Sequence, residues 1–207
     1  MLSVRREKQI LSASHTYVLG CDEVGRGSMA GPVVAGVVAF DKNFFIRLPG
    51  WAKKVNDSKQ LSPVMRAELQ FHIKQSAASW SVGVVSPKVI DRINILAATK
   101  RAADHALRKI HMQLSVDTKK TFLLLDGNFL LPNYTGRQEA VVHGDALVFC
   151  IAAASIVAKV YRDELMVKLD KKFPGYEFKA HKGYGTKLHK VALKRLGLSS
   201  IHRKTFC

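Results

Sequence analysis

The sequence predicts an α/β layer architecture that ends in a small, basic, helical piece. Three observations predict it. Short valine-rich runs bounded by glycine are mixed along the chain with long stretches of helical periodicity. One run, "TFLLLDG" at 121–127, is apolar throughout until its acid, as a strand covered on both faces would be. The basic residues gather at the end: from Lys168 to Cys207 there are eleven Lys and Arg, two acids and three histidines.

Taken in order, "MLSVRREKQILSAS" carries charges but no sustained apolar core, so it does not read as a secretory leader, and residues 1–15 are expected to form a tail. "TYVLGCDE" (16–23) and "GPVVAGVVAF" (31–40) read as strands, and "WSVGVV" (80–85) as a third. Residues 89–114 read as one long helix, with apolar positions at Ile90, Ile93, Leu96, Ala97, Ala103 and Leu107. The run at 121–127 reads as a buried central strand, and "EAVVHGD" (139–145) as another strand. Residues 146–173 read as a second long helix; its first half is apolar on every side, which predicts burial, and its alanines permit close approach to a sheet. Asp145 fits the N-cap of that helix. "TKLHKVALKRLG" (186–197) is a short basic helix stopped by Gly197. "LPNYTGRQ" and "FPGYEFKAHKGYGT" are expected as loops, the second dividing a sheet-bearing body (16–175) from a C-terminal extension (176–207).

With 207 residues, 47% of them hydrophobic, the chain suits one domain with a real core. Its longest apolar stretch, Ala146 to Ala158, is too short to span a bilayer and lies between Asp145 and Lys159, so no membrane role is expected. Cys21, Cys150 and Cys207 show no paired or metal-finger spacing; a reduced, cytoplasmic protein, acting as a monomer, is the simplest expectation. The net charge of +17 and pI near 10.0 predict a polyanionic partner, with nucleic acid first and an anionic membrane second.

Against that charge, four acids stand out. Asp22 and Asp126 each end a β-prone apolar run and are followed closely by glycine, and open sheets place their sites at strand ends. Asp145 sits at a Gly-Asp junction, and Glu23 adjoins Asp22. Singly, each has a plainer reading: Asp145 as a helix cap, Asp126 as a turn residue, Asp22 as a partner of Arg26. As a set of oxygen ligands on a basic protein they point to Mg²⁺ or Mn²⁺ and phosphodiester chemistry. Neighbours on a strand face opposite ways, so Asp22 and Glu23 can share a site if the strand ends at Asp22. The glycines at 25, 27 and 31 match neither dinucleotide nor phosphate-loop spacing.

"GCDEVGRGSMAGPVVAGVV" resembles the signature of bacterial ribonuclease HII. "NDSKQLS" (56–62), "LLLDGN" (123–128), "HGDALVFCIAAASIVAKVYRD" (143–163), "HKGYGTKLH" (181–189) and "IHRKTF" (201–206) resemble the family's further blocks, in its order. The resemblance implies a ribonuclease H-like α/β fold, a mixed central sheet flanked by helices, with a small basic helical C-terminal extension. It implies an endonuclease that cuts the RNA strand of RNA–DNA hybrids and cuts at ribonucleotides embedded in duplex DNA, using two Mg²⁺ or Mn²⁺ ions and leaving 3′-OH and 5′-phosphate ends. It maps the catalytic acids and metal ligands onto Asp22, Glu23, Asp126 and Asp145. Asp22 is expected as the bridging ligand because it comes from an expected central strand. It maps the 2′-OH reader onto Gly25, Arg26 and Gly27, and the junction-sensing tyrosine onto Tyr184. The sister ribonuclease HIII family usually has threonine where Arg26 stands.

Lys59 is read as a backbone-phosphate contact, with a solvated lysine as the plain alternative. Lys159 and Asp163 read as an i,i+4 helix pair. His181, His189 and His202 read as phosphate or packing contacts. Departures from the family pattern are His143, Glu177 and "GLSSIHR". Two rivals remain: a non-catalytic nucleic-acid binder, which leaves the four acids unexplained, and another ribonuclease H-like enzyme such as a resolvase or transposase, which leaves Gly-Arg-Gly unexplained.

Overall fold

The computed structural model describes residues 2–13 and 15–207. In chain order the elements are α1 (Arg5–Ser12), β1 (Tyr17–Val24), β2 (Val33–Asp41), α2 (Lys42–Ile46), α3 (Pro63–Ser76), β3 (Ser79–Val85), α4 (Pro87–Ile93), α5 (Ile95–Leu114), β4 (Thr121–Asp126), β5 (Arg137–Val141), α6 (Gly144–Leu147), α7 (Phe149–Lys172), α8 (Phe178–His181) and α9 (Lys187–Leu196). The five strands form one mixed sheet in the order β3-β2-β1-β4-β5. β1 pairs antiparallel with β2 and parallel with β4, and β4 is parallel to β5.

Strand alternation divides the core into two layers. Val18, Val38, Phe40 and Leu124 pack under α7 with Phe149 to Val157, while Leu19, Cys21, Val37, Leu123 and Leu125 pack under α5 with Ala98 to Ile110. α7 lies very close to the sheet: a methyl group at Gly20 would stand 2.0 Å from the carbonyl oxygen of Cys150. The alanine-rich face of α7 makes that approach possible, as the composition predicts.

The elements depart from the sequence reading at several points. The helix expected over 89–114 is two helices, because Asn94 adopts φ 65° and its side chain accepts the N–H of Ala97, starting α5 afresh. The helix expected over 146–173 is also split, with Val148 extended between α6 and α7. The strand expected over 139–145 runs instead from Arg137 to Val141. The loop "FPGYEFKAHKGYGT" contains α8. α3 is an element the sequence reading lacks, although Ser62 before Pro63 is a capping signal; its side chain accepts the N–H of Met65.

Within the segment read as a tail lies α1, whose Glu7 and Leu11 are buried. Glu7 Oε1 accepts the N–H of Cys150 at 3.1 Å, in the first turn of α7. Val148 has no side chain that could cap α7, so a carboxylate from α1 meets part of that need. Among the described residues no helix is long and apolar enough to cross a membrane.

Candidate active site

Three of the acids, Asp22, Asp126 and Asp145, converge from separate pieces of backbone, and Glu23 adjoins them on β1. β1 and β4 are paired up to Cys21 opposite Leu125; one step further, Asp22 and Asp126 come level on the face that α7 covers. Asp145 lies in the first turn of α6, and its N–H donates to Oδ1 of Asp126 at 3.3 Å. It is not the cap of the buried helix: His143, at φ 56°, precedes α6, and Val148 precedes α7. β1 does not end at Asp22 either. β2 keeps it in register through Val24, with Glu23 opposite Ala35, so alternation holds and Glu23 faces away from Asp22. Its charge still reaches the others through the strand end.

The second tier is built by α7, α3 and the "NDSKQLS" loop. Asp22 accepts its neighbour's N–H, from Glu23, at 2.7 Å, and the Ser155 hydroxyl of α7 lies close enough to ease its burial. Ser155 Oγ lies 2.8 Å from Ser58 Oγ, which ties the loop to α7. Arg66 of α3 donates to the Ser58 and Leu61 carbonyls. So held, the loop places Lys59 Nζ 3.2 Å from Asp145 Oδ2. Lys59 is therefore neither a free lysine nor, in this structure, a residue standing apart from the acids.

Burial pushes the Asp22 carboxyl well above the usual carboxylate range, and the charges of Glu23 and Asp126 push it further. Asp126 is raised by burial and then by Asp145. Burial also raises Glu23, against the pull of Arg26, whose Nη1 is 3.3 Å from Glu23 Oε1. Arg26 thus pairs with Glu23, not with Asp22. Partial burial works against the Lys59 ammonium, but its bond and charge contact with Asp145 outweigh this and raise its pKa. The repulsion runs along the row Glu23, Asp22, Asp126, Asp145; Arg26 and Lys59 at its ends and hydrogen bonds to Asp22 and Asp126 relieve it in part. Among the described residues no three His, Cys, Asp or Glu side chains close into a formed metal cage. An open row of oxygen donors with too little counter-charge fits a hard cation of the Mg²⁺ or Mn²⁺ kind, which keeps waters or substrate oxygens in its shell.

Beside the acids, residues 25–32 connect β1 to β2. Gly25 has φ 90°, and a methyl group there would meet Arg162 Nε at 2.2 Å; at Gly27 the same methyl would meet nothing within 4 Å. The carbonyls of Gly25 and Arg26 turn inward and accept from Arg203. The N–H groups of Arg26 and Gly27 take no partner among the described residues.

The C-terminal residues dock on this loop. The Gly183 carbonyl accepts the N–H of Met29 and of Ala30, the Ile201 carbonyl accepts from Gly31, and Arg203 N–H donates to Met29. Tyr184 is thereby brought beside the glycine loop, half-buried, its ring centroid 5.5 Å from the Arg162 guanidinium carbon. Three histidines support it as packing contacts. His189 Nδ1 faces the Tyr184 carbonyl at 3.0 Å and must carry the proton. His202 Nδ1 accepts the Ser199 N–H at 2.9 Å, so His202 donates through Nε2 to His189 Nε2, 3.0 Å away. His181 stacks on His189 and accepts the Gly183 N–H. All three are neutral in this arrangement, and burial, then His189, pushes the His202 pKa down to about 4. Lys159 and Asp163 form the expected pair at 2.9 Å.

Sequence reasoning missed Arg162, Arg203, Ser155, Ser58 and Glu7. Arg162 and Arg203 lie inside recognisable blocks, but nothing local says that a guanidinium there is buried.

The ribonuclease HII family model matches residues 19–207. A ribonuclease HII of Acholeplasma laidlawii is 46% identical over 202 residues, 97% of this chain and 92% of that protein. One of Chlorobium phaeobacteroides is 44% identical over 191 residues, 92% of this chain and 90% of that protein. The crystal structure of a ribonuclease H2 from Pyrococcus horikoshii superposes with TM-score 0.69 at 28% identity, covering 91% of this chain and 93% of that one.

Proposed function

The chain belongs to the ribonuclease HII family and is an RNA-cleaving endonuclease; we propose that it cuts the RNA strand of RNA–DNA hybrids and cuts at ribonucleotides embedded in duplex DNA, leaving 3′-OH and 5′-phosphate ends by a two-metal mechanism. The observation that carries this reading is the row of four repelling carboxylates set against a glycine loop whose carbonyls are used inward and whose N–H groups are free.

Asp22, Glu23, Asp126 and Asp145 would hold the Mg²⁺ or Mn²⁺ ions. When bound, the ions supply Lewis-acid stabilisation of the phosphate and a water of lowered pKa. The residues of the chain prepare that site. The Glu23 N–H orients Asp22 before any ligand arrives, with the Ser155 hydroxyl beside it. Asp126 holds Asp145 through its N–H. Lys59 supplies positive charge at the outer end of the row, where a substrate phosphate would also be drawn.

Selectivity falls to the loop, since the 2′-OH is what separates RNA from DNA at one site. Without a side chain, Gly27 lets the sugar approach the backbone, and the N–H groups of Arg26 and Gly27 are donors for the hydroxyl or the neighbouring phosphate. Tyr184 offers a ring and hydroxyl at the same loop, to stack or bond at the junction. The basic C-terminal residues would grip the duplex backbone, which makes affinity salt-dependent.

The test is cleavage of a duplex carrying one ribonucleotide, against the same duplex in DNA alone, with Mn²⁺ or Mg²⁺ and with EDTA. Cutting of the first only, at the ribonucleotide and only with metal, is expected. Cutting of both duplexes, or of neither, overturns the reading.

A further inference from the structure

Two arginines are fully buried, Arg162 on α7 and Arg203 near the C-terminus, each 0% exposed. Neither is ion-paired to a carboxylate among the described residues. A guanidinium taken out of water without a counter-charge is costly unless its donors are met. Here they are met by neutral acceptors, all in two short segments. Arg162 donates through Nε to the Pro32 carbonyl at 3.0 Å, and through Nη2 to Ser28 Oγ at 2.9 Å and the Ala30 carbonyl at 3.3 Å. Through Nη1 it donates to the Lys182 carbonyl at 3.0 Å, two residues before Tyr184. Among the described residues the Arg203 side chain donates only to the glycine loop, to the carbonyls of Gly31, Arg26 and Gly25.

Arg162 is thus the side chain that bonds to both segments, and the Tyr184 ring lies over its guanidinium. Its position on α7 adds a second link. Ser155, beside Asp22, lies seven residues earlier on α7, about two turns of the same helix, and α7 packs directly on β1, which carries Asp22. One helix therefore sets a carboxylate of the row, the glycine loop and the tyrosine turn relative to one another.

We propose that Arg162 is a positioning residue for ribonucleotide selectivity, joining the Gly25–Pro32 loop and Tyr184 into one reader held at a fixed place relative to the carboxylates. The proposal rests on the roles given above to the loop and Tyr184. A lysine at 162 keeps the charge but is a point donor without the planar fork, so it cannot serve four acceptors in two directions.

The test compares the parent with Arg162→Lys and with Ser28→Ala, which removes one acceptor of the network at little risk to folding. Hydrogen exchange, Mn²⁺ binding by calorimetry, and kcat/KM on a single embedded ribonucleotide and on a continuous hybrid are measured. In Arg162→Lys, amide exchange should rise together in residues 25–31 and 182–185, by about 10-fold or more, while Mn²⁺ affinity stays within about 3-fold. Preference for the embedded ribonucleotide should fall by about 10- to 100-fold, the scale of loss when a positioned substrate is misplaced. Ser28→Ala should move each quantity the same way by less, and it decides the matter alone if Arg162→Lys does not fold. Unchanged substrate preference in the folded variants overturns the proposal. So does loss of Mn²⁺ binding in step with activity, which marks general damage. If the parent cuts neither substrate, the functional reading fails; the exchange data still decide whether Arg162 joins the two segments.

Discussion

Replacing Gly27 by alanine separates what the fold needs from what a ligand needs. Gly27 does not adopt a left-handed conformation, and an added methyl group meets nothing within 4 Å. No structural cost is therefore expected, and the stability change should stay within about 0.5 kcal/mol, as for surface substitutions away from special features. Gly20→Ala is the contrast. Its methyl group would sit 2.0 Å from the Cys150 carbonyl oxygen, and relief requires α7 to move off β1 by more than 1 Å. Overpacking of that kind costs about 3 kcal/mol, and the shift also displaces Ser155 from Asp22. If the loop reads the sugar by close approach, Gly27→Ala should lose about 10- to 100-fold in kcat/KM at an embedded ribonucleotide, about 1.4–2.7 kcal/mol of transition-state stabilisation. Urea denaturation and single-ribonucleotide cleavage measure the two quantities on the same preparation. Parent-like cleavage by a stably folded Gly27→Ala protein refutes the close-approach argument. A stability loss near that of Gly20→Ala refutes the claim that the position is free of structural demand.

Three further outcomes are expected. Asp126→Asn removes one charge from a repelling row while its Oδ1 can still accept the Asp145 N–H, so turnover should fall by at least about 100-fold with duplex binding and melting temperature preserved; turnover near the parent's would remove Asp126 from the catalytic set. Glu7→Ala strips a partner from the first turn of α7 and should cost about 1–3 kcal/mol by urea denaturation, whereas a neutral result would make α1 dispensable. The His202 pKa lies below its ordinary value, so the unfolded chain binds the proton first: the stability that neutral His202 contributes is complete above about pH 6.5 and is lost as the pH falls toward about 4. NMR titration should find the His202 ring neutral at pH 5.5, with residues 184–203 opening at lower pH; a midpoint near 6.5 contradicts the tautomer chain.

The legible part of this protein is the part whose signals are local. Five β-prone runs could be read, and all five are strands, because alternation and valine content act over a few residues. Asp22, Asp126 and Asp145 were visible as acids that end or open apolar elements. Resemblance then named the Gly-Arg-Gly loop and Tyr184, and the structure brings those two beside each other. Where local signals misled, a single residue intervened: Asn94 broke a periodic helix by taking φ 65° and capping the next one.

What the sequence by itself determined was the set of elements, the acids at their ends and the family of the chain. The tertiary structure decided what surrounds them. Glu7 meets Cys150 across 143 residues, Lys59 meets Asp145 across 86, and Arg203 meets Gly25 across 178. Those pairings depend on which faces the packed layers bring together, and no periodicity or cap in a short window encodes them. A carboxylate becomes a site only when burial and neighbouring charge raise the cost of leaving it without a cation, and both follow from packing.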